Sequence, residues 1–190
     1  GRLIAKATRQ GAGITGANND LILVHAASAP SFPAFTEDEP LQGSGGPNPP
    51  RLGAFSAFSI NHTAVASVVG TLKRNPASGV NAGNDSFFDV NDLVSPLPSA
   101  ALPVREGDPA NFNLGQFLPR LAAAGSAHAF AAAVLGPVAQ NQAVLHYTNS
   151  GVATRLLRKG DDPRIDGTTE VFSAFLGESM ATNGNLVVRS

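Results

Sequence analysis

The chain contains no cysteine and no tryptophan, and only one tyrosine and one methionine, among its 190 residues. Without cysteine there is no disulfide framework, no thiolate metal site and no thiol nucleophile. Charge is scarce as well. Asp, Glu, Lys and Arg make up 14% of the chain, and the formal net charge is −1; a usual charged share is about 25%. No more than two Lys or Arg are adjacent anywhere, so nucleic acid and anionic membrane surfaces have no electrostatic footprint to meet. No secretory leader is visible: Arg2, Lys6 and Arg9 have no apolar core behind them. A mature, cleaved product would read the same way. The longest uncharged run starts after Arg120, and its first, most apolar part, Leu121–Ala139, approaches the ~20 residues of a membrane span. It is mostly alanine and holds Gly125, Ser126, His128, Gly136 and Pro137, so no span is expected there.

What is present describes a folded, soluble chain. Hydrophobic residues make up 43%, the mean hydropathy is +0.03, and polarity comes from Asn, Ser and Thr rather than from charge. The strongest signal is internal repetition. Short apolar segments open at Leu3, Ala66, His128 and Leu186, at steps of 63, 62 and 58 residues. A second marker follows the first three: NNDLILVHA from Asn18, GNDSFFDVN from Gly83 and QNQAVLHYT from Gln140. A third is TEDEPLQG from Thr36, REGDPANF from Arg105 and RKGDDPRI from Arg158. A fourth is rich in Phe: LGAFSAFSIN from Leu52, GQFLPRLAA from Gly115 and EVFSAFLGE from Glu170.

Segments of this length, punctuated by Gly, Asn, Asp and Pro, predict β-strands. Around Ala129 the alanines favour helix, but the equivalent segments at Ala66 and Leu186 are rich in Val, and the repeat overrides the local preference. The expected fold is all-β: three four-stranded antiparallel units, β-propeller-like, covering 1–63, 64–126 and 127–185, with 186–190 as a surplus opening strand. In the third marker, Gly107 and Gly160 suit a sharp turn that needs positive φ. Asp108 and Asp161 are expected to bond their own backbone a residue or two further on, and Pro109 and Pro163 to stop the ladder. Arg105 and Arg158 are expected to reach a carboxylate or free carbonyls of the neighbouring unit. The motif therefore reads as a structural corner rather than a duplicated catalytic loop.

The stretch SINHTAVASVVGTL (Ser59 to Leu72), followed by an Asn-Asp strand and then VREGDPA, resembles the bacterial tandem repeat known by its NxxGxxAF pattern. That repeat is found in large exported proteins with varied cell-surface anchors. Asn61 fills the Asn place and Gly184 the Gly place of the last copy. Ala64 and Ser126 stand at the Gly place in earlier copies, and Ala129-Phe130 is the one literal Ala-Phe. The resemblance implies a secreted, propeller-like, non-catalytic module at the cell surface, and it brings no catalytic residues.

Candidate chemistry is thin. GAGITG (Gly11 to Gly16) satisfies a dinucleotide pattern but precedes a β-rich run where that site needs a helix, so it reads as a strand-to-strand loop. His25, His62, His128 and His146 lack metal-ligand spacing. No Ser sits in a G-x-S-x-G elbow. NDSFFDVND offers Asp85, Asp89 and Asp92 as calcium ligands; it lacks the Gly and terminal Glu of an EF-hand loop, and calcium is the one cofactor the composition suggests. The reading is a non-catalytic extracellular structural or adhesive β-repeat module, self-associating through terminal strands or end faces into a ring or filament. An alternative source of the surplus strand is that the chain is part of a longer propeller. The alternative function is an extracellular carbohydrate-active or other hydrolase on a propeller scaffold, marked by acidic or His residues converging on one rim.

Overall fold

A computed structural model describes residues 2–27, 29–41, 43–93, 103–107, 114–124, 127–134, 137–148, 153–161, 171–181, 183 and 185–189. Asp108, Pro109, Ser126 and Pro163 lie outside the described residues. The first sheet contains β1 (Arg2–Thr8), β2 (Asp20–Ala26) and β3 (Ala29–Thr36). The second contains β4 (Leu52–Ile60), β5 (Val65–Leu72), β6 (Ser86–Asp92) and β7 (Val104–Arg105). The third contains β8 (Leu114–Ala124), β9 (Ala127–Val134), β10 (Gln142–Thr148) and β11 (Ala153–Arg158). A hairpin of β12 (Gly177–Met180) and β13 (Leu186–Arg189) completes the order. Neighbouring strands are sequential and antiparallel throughout.

The all-β expectation holds, including the alanine-rich β9. The expected count of three four-stranded units is corrected to sheets of three, four, four and two strands among the described residues. The sheets also run one strand out of phase with the repeat as read from its opening strand. Each full sheet begins with a Phe-rich strand, so position 63 lies in the turn between paired β4 and β5, and position 126 between paired β8 and β9. Leu186–Arg189 is not surplus, because it pairs with β12 through Met180↔Leu186 and Ser179↔Val187. The run considered for a membrane span is divided between β8 and β9, and among the described residues no helix is long and apolar enough to cross a membrane.

Strand alternation gives the second sheet two apolar faces. Ala66, Val68, Leu72 and Phe87 pack with Ile22, Val24 and Phe35 of the first sheet. Val65, Val69, Phe88 and Val90 pack with Phe117, Phe130, Leu145 and Tyr147 of the third. Phe88 stacks on Phe130 with ring centroids 4.3 Å apart and meets Tyr147 edge-on at 5.0 Å. Each fully buried side chain of this size stabilises the fold by about 1.5–3 kcal/mol.

The corner recurs three times, with the same hydrogen bonds. Glu37, Glu106 and Lys159 donate their backbone N–H to the carbonyls of Asp20, Ser86 and Gln142, each at 2.9 Å. The next residues, Asp38, Gly107 and Gly160, donate to Leu52, Leu114 and Phe172 at 2.8 Å, tying each sheet to the Phe-rich segment that follows. All three have positive φ, at 73°, 74° and 87°. Arg105 Nη2 donates to Asn84 O at 3.1 Å and Arg158 Nε to Gln140 O at 2.8 Å. They reach carbonyls as expected, but in the loop of their own sheet rather than in a neighbouring unit. Asp161 accepts from Arg158 N, three residues back, at 2.6 Å; the residues just after it, where the forward bond was expected, lie outside the described residues.

A Cβ at Gly160 would lie 2.9 Å from Ala139 O, and one at Gly107 would lie 3.1 Å from Gly83 O. Gly160→Ala and Gly107→Ala should therefore each lower the unfolding free energy by about 2 kcal/mol, the cost of a left-handed L-residue plus a crowded carbonyl. Urea denaturation checks this, and a loss below about 0.5 kcal/mol, the ordinary range of surface changes, would refute the corner's dependence on glycine.

Candidate functional site

The shared hydrogen bonds align the second strand of each sheet without reference to side chains. Asp20, Ser86 and Gln142 are equivalent, so three residues on, Leu23 of β2 and Leu145 of β10 stand where β6 has Asp89. Two copies place an apolar residue there, and one places a carboxylic acid. Asp89 is 2% exposed. Its Oδ1 accepts from Val90 N at 2.8 Å, and the side chain lines a small open cleft between the first and second sheets. Ala34 and Phe35 of β3, Glu39 and Pro40 after the first corner, Leu52 of β4 and Asn91 form the rest of the lining. Asn91 Nδ2 donates to Ala34 O at 2.8 Å, fixing the amide across the cleft.

Burial pushes the Asp89 carboxyl up from its ordinary 3.8 to about 7, while the Val90 N–H pulls the other way. On the far side of the strand Tyr147 is pushed up to about 12, first by burial and then by the Asp89 charge. Glu178 of β12 is raised by burial, with the charge of Arg120 acting against it. Both its carboxylate oxygens are buried without a hydrogen-bond partner. Arg120 Nη1 donates to Phe175 O, which joins β8 to the segment before β12.

The three residues read as calcium ligands are placed separately. Asp85 pairs with Arg74 Nε at 2.6 Å, ahead of the strand. Asp89 faces the first sheet with Phe87, and Asp92, three positions further along an extended strand, faces the other way. Asp85 and Asp89 are four residues apart, roughly 13 Å along a strand. Among the described residues, no group of three or more His, Asp or Glu is gathered as ligands. His128 is fully buried beside Phe88 and Tyr147, whereas His25 and His62 are exposed. The GAGITG loop joins β1 to β2, and Asn18 closes it by accepting from Thr15 N and donating to Gly13 O. Asn84 closes the β5–β6 loop in the same way, on Asn81 N and Gly79 O.

Sequence reasoning missed Glu39 and Asn91 as neighbours of Asp89. The available signal was the alignment of second strands, in which Asp89 is the polar exception. No protein-family model matches this chain, and no curated protein and no solved structure matches it either.

Asp89 makes stability depend on pH with a defined sign. The unfolded chain loses this proton near 3.8, whereas the folded chain keeps it to about 7. Stability is therefore fully present below the lower value, falls as pH rises through the window between the two, and then levels off. At about 1.4 kcal/mol per pH unit, the loss is on the order of 4 kcal/mol. Asp89→Asn should remove this loss, making the variant more stable than the parent at pH above the window and flattening its profile within it. Parallel urea curves across that range check this. Profiles of equal slope would show that Asp89 is ionised in the folded protein.

Proposed function

We propose that this chain is a non-catalytic, exported module of structural or adhesive kind, of the NxxGxxAF repeat type. Its sheets act as successive blades of a propeller-like array, and its terminal sheets join further copies. The carrying observation is that equivalent positions differ in exposure between inner and terminal sheets. Leu3 pairs with His25, Ala66 with Asn91 and His128 with Tyr147, at the same place in three sheets. Ala66 and His128 are 0% exposed, whereas Leu3 is 64% exposed. Val187 of β13, 67% exposed, repeats this at the other end, since its equivalent in β9, Ala129, is buried. An apolar position that inner sheets cover with a neighbour, but terminal sheets leave open, suits another sheet of the same kind.

The repeat-type assignment draws on the turn between β4 and β5. Asn61 Oδ1 accepts from Val65 N at 2.8 Å, and Asn61 N donates to Val65 O at 3.1 Å. Ala64, at the Gly place of the pattern, has φ 70°, a conformation glycine adopts without strain. The pattern's Asn and Gly thus have physical roles: one caps the hairpin and the other turns it. Exported and cell-surface placement follows from the same resemblance. Self-association fits the edges of β1 and β13, each with one strand partner among the described residues, which can extend a sheet across a subunit boundary by backbone pairing.

Truncation after Asn185 removes β13. In light scattering, the full chain should show a mass that rises with concentration above the 19.4 kDa of one copy, and the truncated chain should remain monomeric. A full chain that stays monomeric, or two chains with the same assembly state, would rule out joining through β13.

A further inference from the structure

We propose that the cleft lined by Asp89, Asn91 and Glu39 is a receptor for a single organic cation, the guanidinium or ammonium head of a basic side chain or small amine. The inference stands on the cleft alone and does not depend on self-association. Asp89 is buried except where it lines this cleft, and its one hydrogen bond, from Val90 N, occupies Oδ1. Among the described residues Oδ2 takes no hydrogen bond. Asn91 has committed Nδ2 to Ala34 O, which leaves its Oδ1 as an acceptor. Glu39 adds an exposed carboxylate at the rim. With Asp89 ionised, the polar side-chain atoms left to a ligand are mainly acceptors, beside the second N–H of Asn91, and such a set suits a ligand rich in N–H donors.

Charge and size narrow the class. A buried carboxylate is costly unless a cation pairs with it, and the position is apolar in both other copies, so packing alone does not require the acid. The cleft supplies two carboxylates and one amide, and among the described residues no third His, Asp or Glu joins them. This is sparse for calcium, which takes 6–8 oxygens, but sufficient for a monocation. The cavity is about 80 Å³, well below the roughly 300–1,000 Å³ of sites that enclose drug-sized ligands. Phe35 and Leu52 provide an apolar wall for the alkyl stem of a basic side chain, and an aromatic ring beside a cation adds attraction of its own.

The test uses the isotope-labelled full chain at a pH above the Asp89 titration, followed by amide resonances. The probes are N-acetylarginine amide, its neutral counterpart N-acetylglutamine amide, agmatine, an arginine-centred hexapeptide and calcium chloride. The arginine amide should give saturable shifts at Ala34, Phe35, Glu39, Leu52, Asp89 and Asn91, and the glutamine amide should give none. Asp89→Asn, with its remaining spectrum unchanged, should weaken binding by at least about tenfold. Glu39→Gln at the rim should weaken it by about twofold to threefold. Agmatine binding as tightly as the hexapeptide would identify a free small cation; a tighter hexapeptide would identify a protein segment. Either result supports the receptor. Equal shifts from the glutamine amide, an unaffected Asp89→Asn variant, no shifts at these residues, or saturation there by calcium but not by the arginine amide would each overturn it.

Discussion

A four-stranded sheet of this chain has apolar side chains on both faces, and one sheet cannot bury both by itself. β5 makes the constraint concrete: Val68 and Leu72 belong to the core shared with the first sheet, and Val65 and Val69 to the core shared with the third. The second sheet is therefore held from two sides, and its stability is a property of the stack as much as of its own ladder. The ring cluster of Phe88, Phe130 and Tyr147 fixes how the third sheet seats on the second. Whatever faces outward at either end inherits the same two-sided chemistry with only one side met. This is why the exposed Leu3 and Val187 bear on the proposed assembly rather than on local packing.

Stacking requires each sheet to hand the chain to the next at a fixed place, and the corner does this with few residues. One backbone bond closes it onto its own second strand, and the next anchors the following Phe-rich segment. Between those bonds the chain has to reverse, so the left-handed residue is geometrically required. Gly107 and Gly160 meet that demand without strain, and Asp38 meets it as one of the few L-residues that tolerate the region. The two arginines brace the turn from behind by capping loop carbonyls. The repeated Arg and Gly thus have an architectural role in the corner.

Much of this was legible because it is local or periodic. Short apolar segments separated by Gly, Asn, Asp and Pro dictated strands, and the comparison of copies assigned β9 correctly although its alanines favour helix. The phase of the sheets was not legible. A repeat has no intrinsic first residue, and only pairing across the hairpin, as in Ile60↔Ala66, shows that the Phe-rich strand joins the strand after it. The backward bond of Asp161 to Arg158 N was not legible either: an Asx side chain can bond forward or backward, and the choice rests on the turn's dihedrals. At the candidate site Asp89 was singled out, but as a loop ligand beside Asp85 and Asp92. Placing SFFDVND in a strand makes its side chains alternate, which separates Asp89 from Asp92. Glu39 lies 50 positions away in sequence and reaches the cleft only because the first sheet packs on the second.

The same packing explains why Asp89 reads as more than an accident of composition. An acid at an exposed position costs little, and its presence carries little information. At this position the first and third copies have Leu23 and Leu145, and Leu145 is buried in the core shared with the second sheet, so an apolar solution to the packing already exists within the chain. The second copy instead has a group that is neutral only while it holds a proton and that loses stability when it ionises. A repeat array spreads stabilisation over many equivalent contacts and can carry one such position without unfolding. That tolerance lets one copy diverge from its siblings, and it places polar chemistry where the stack would otherwise have only apolar contacts.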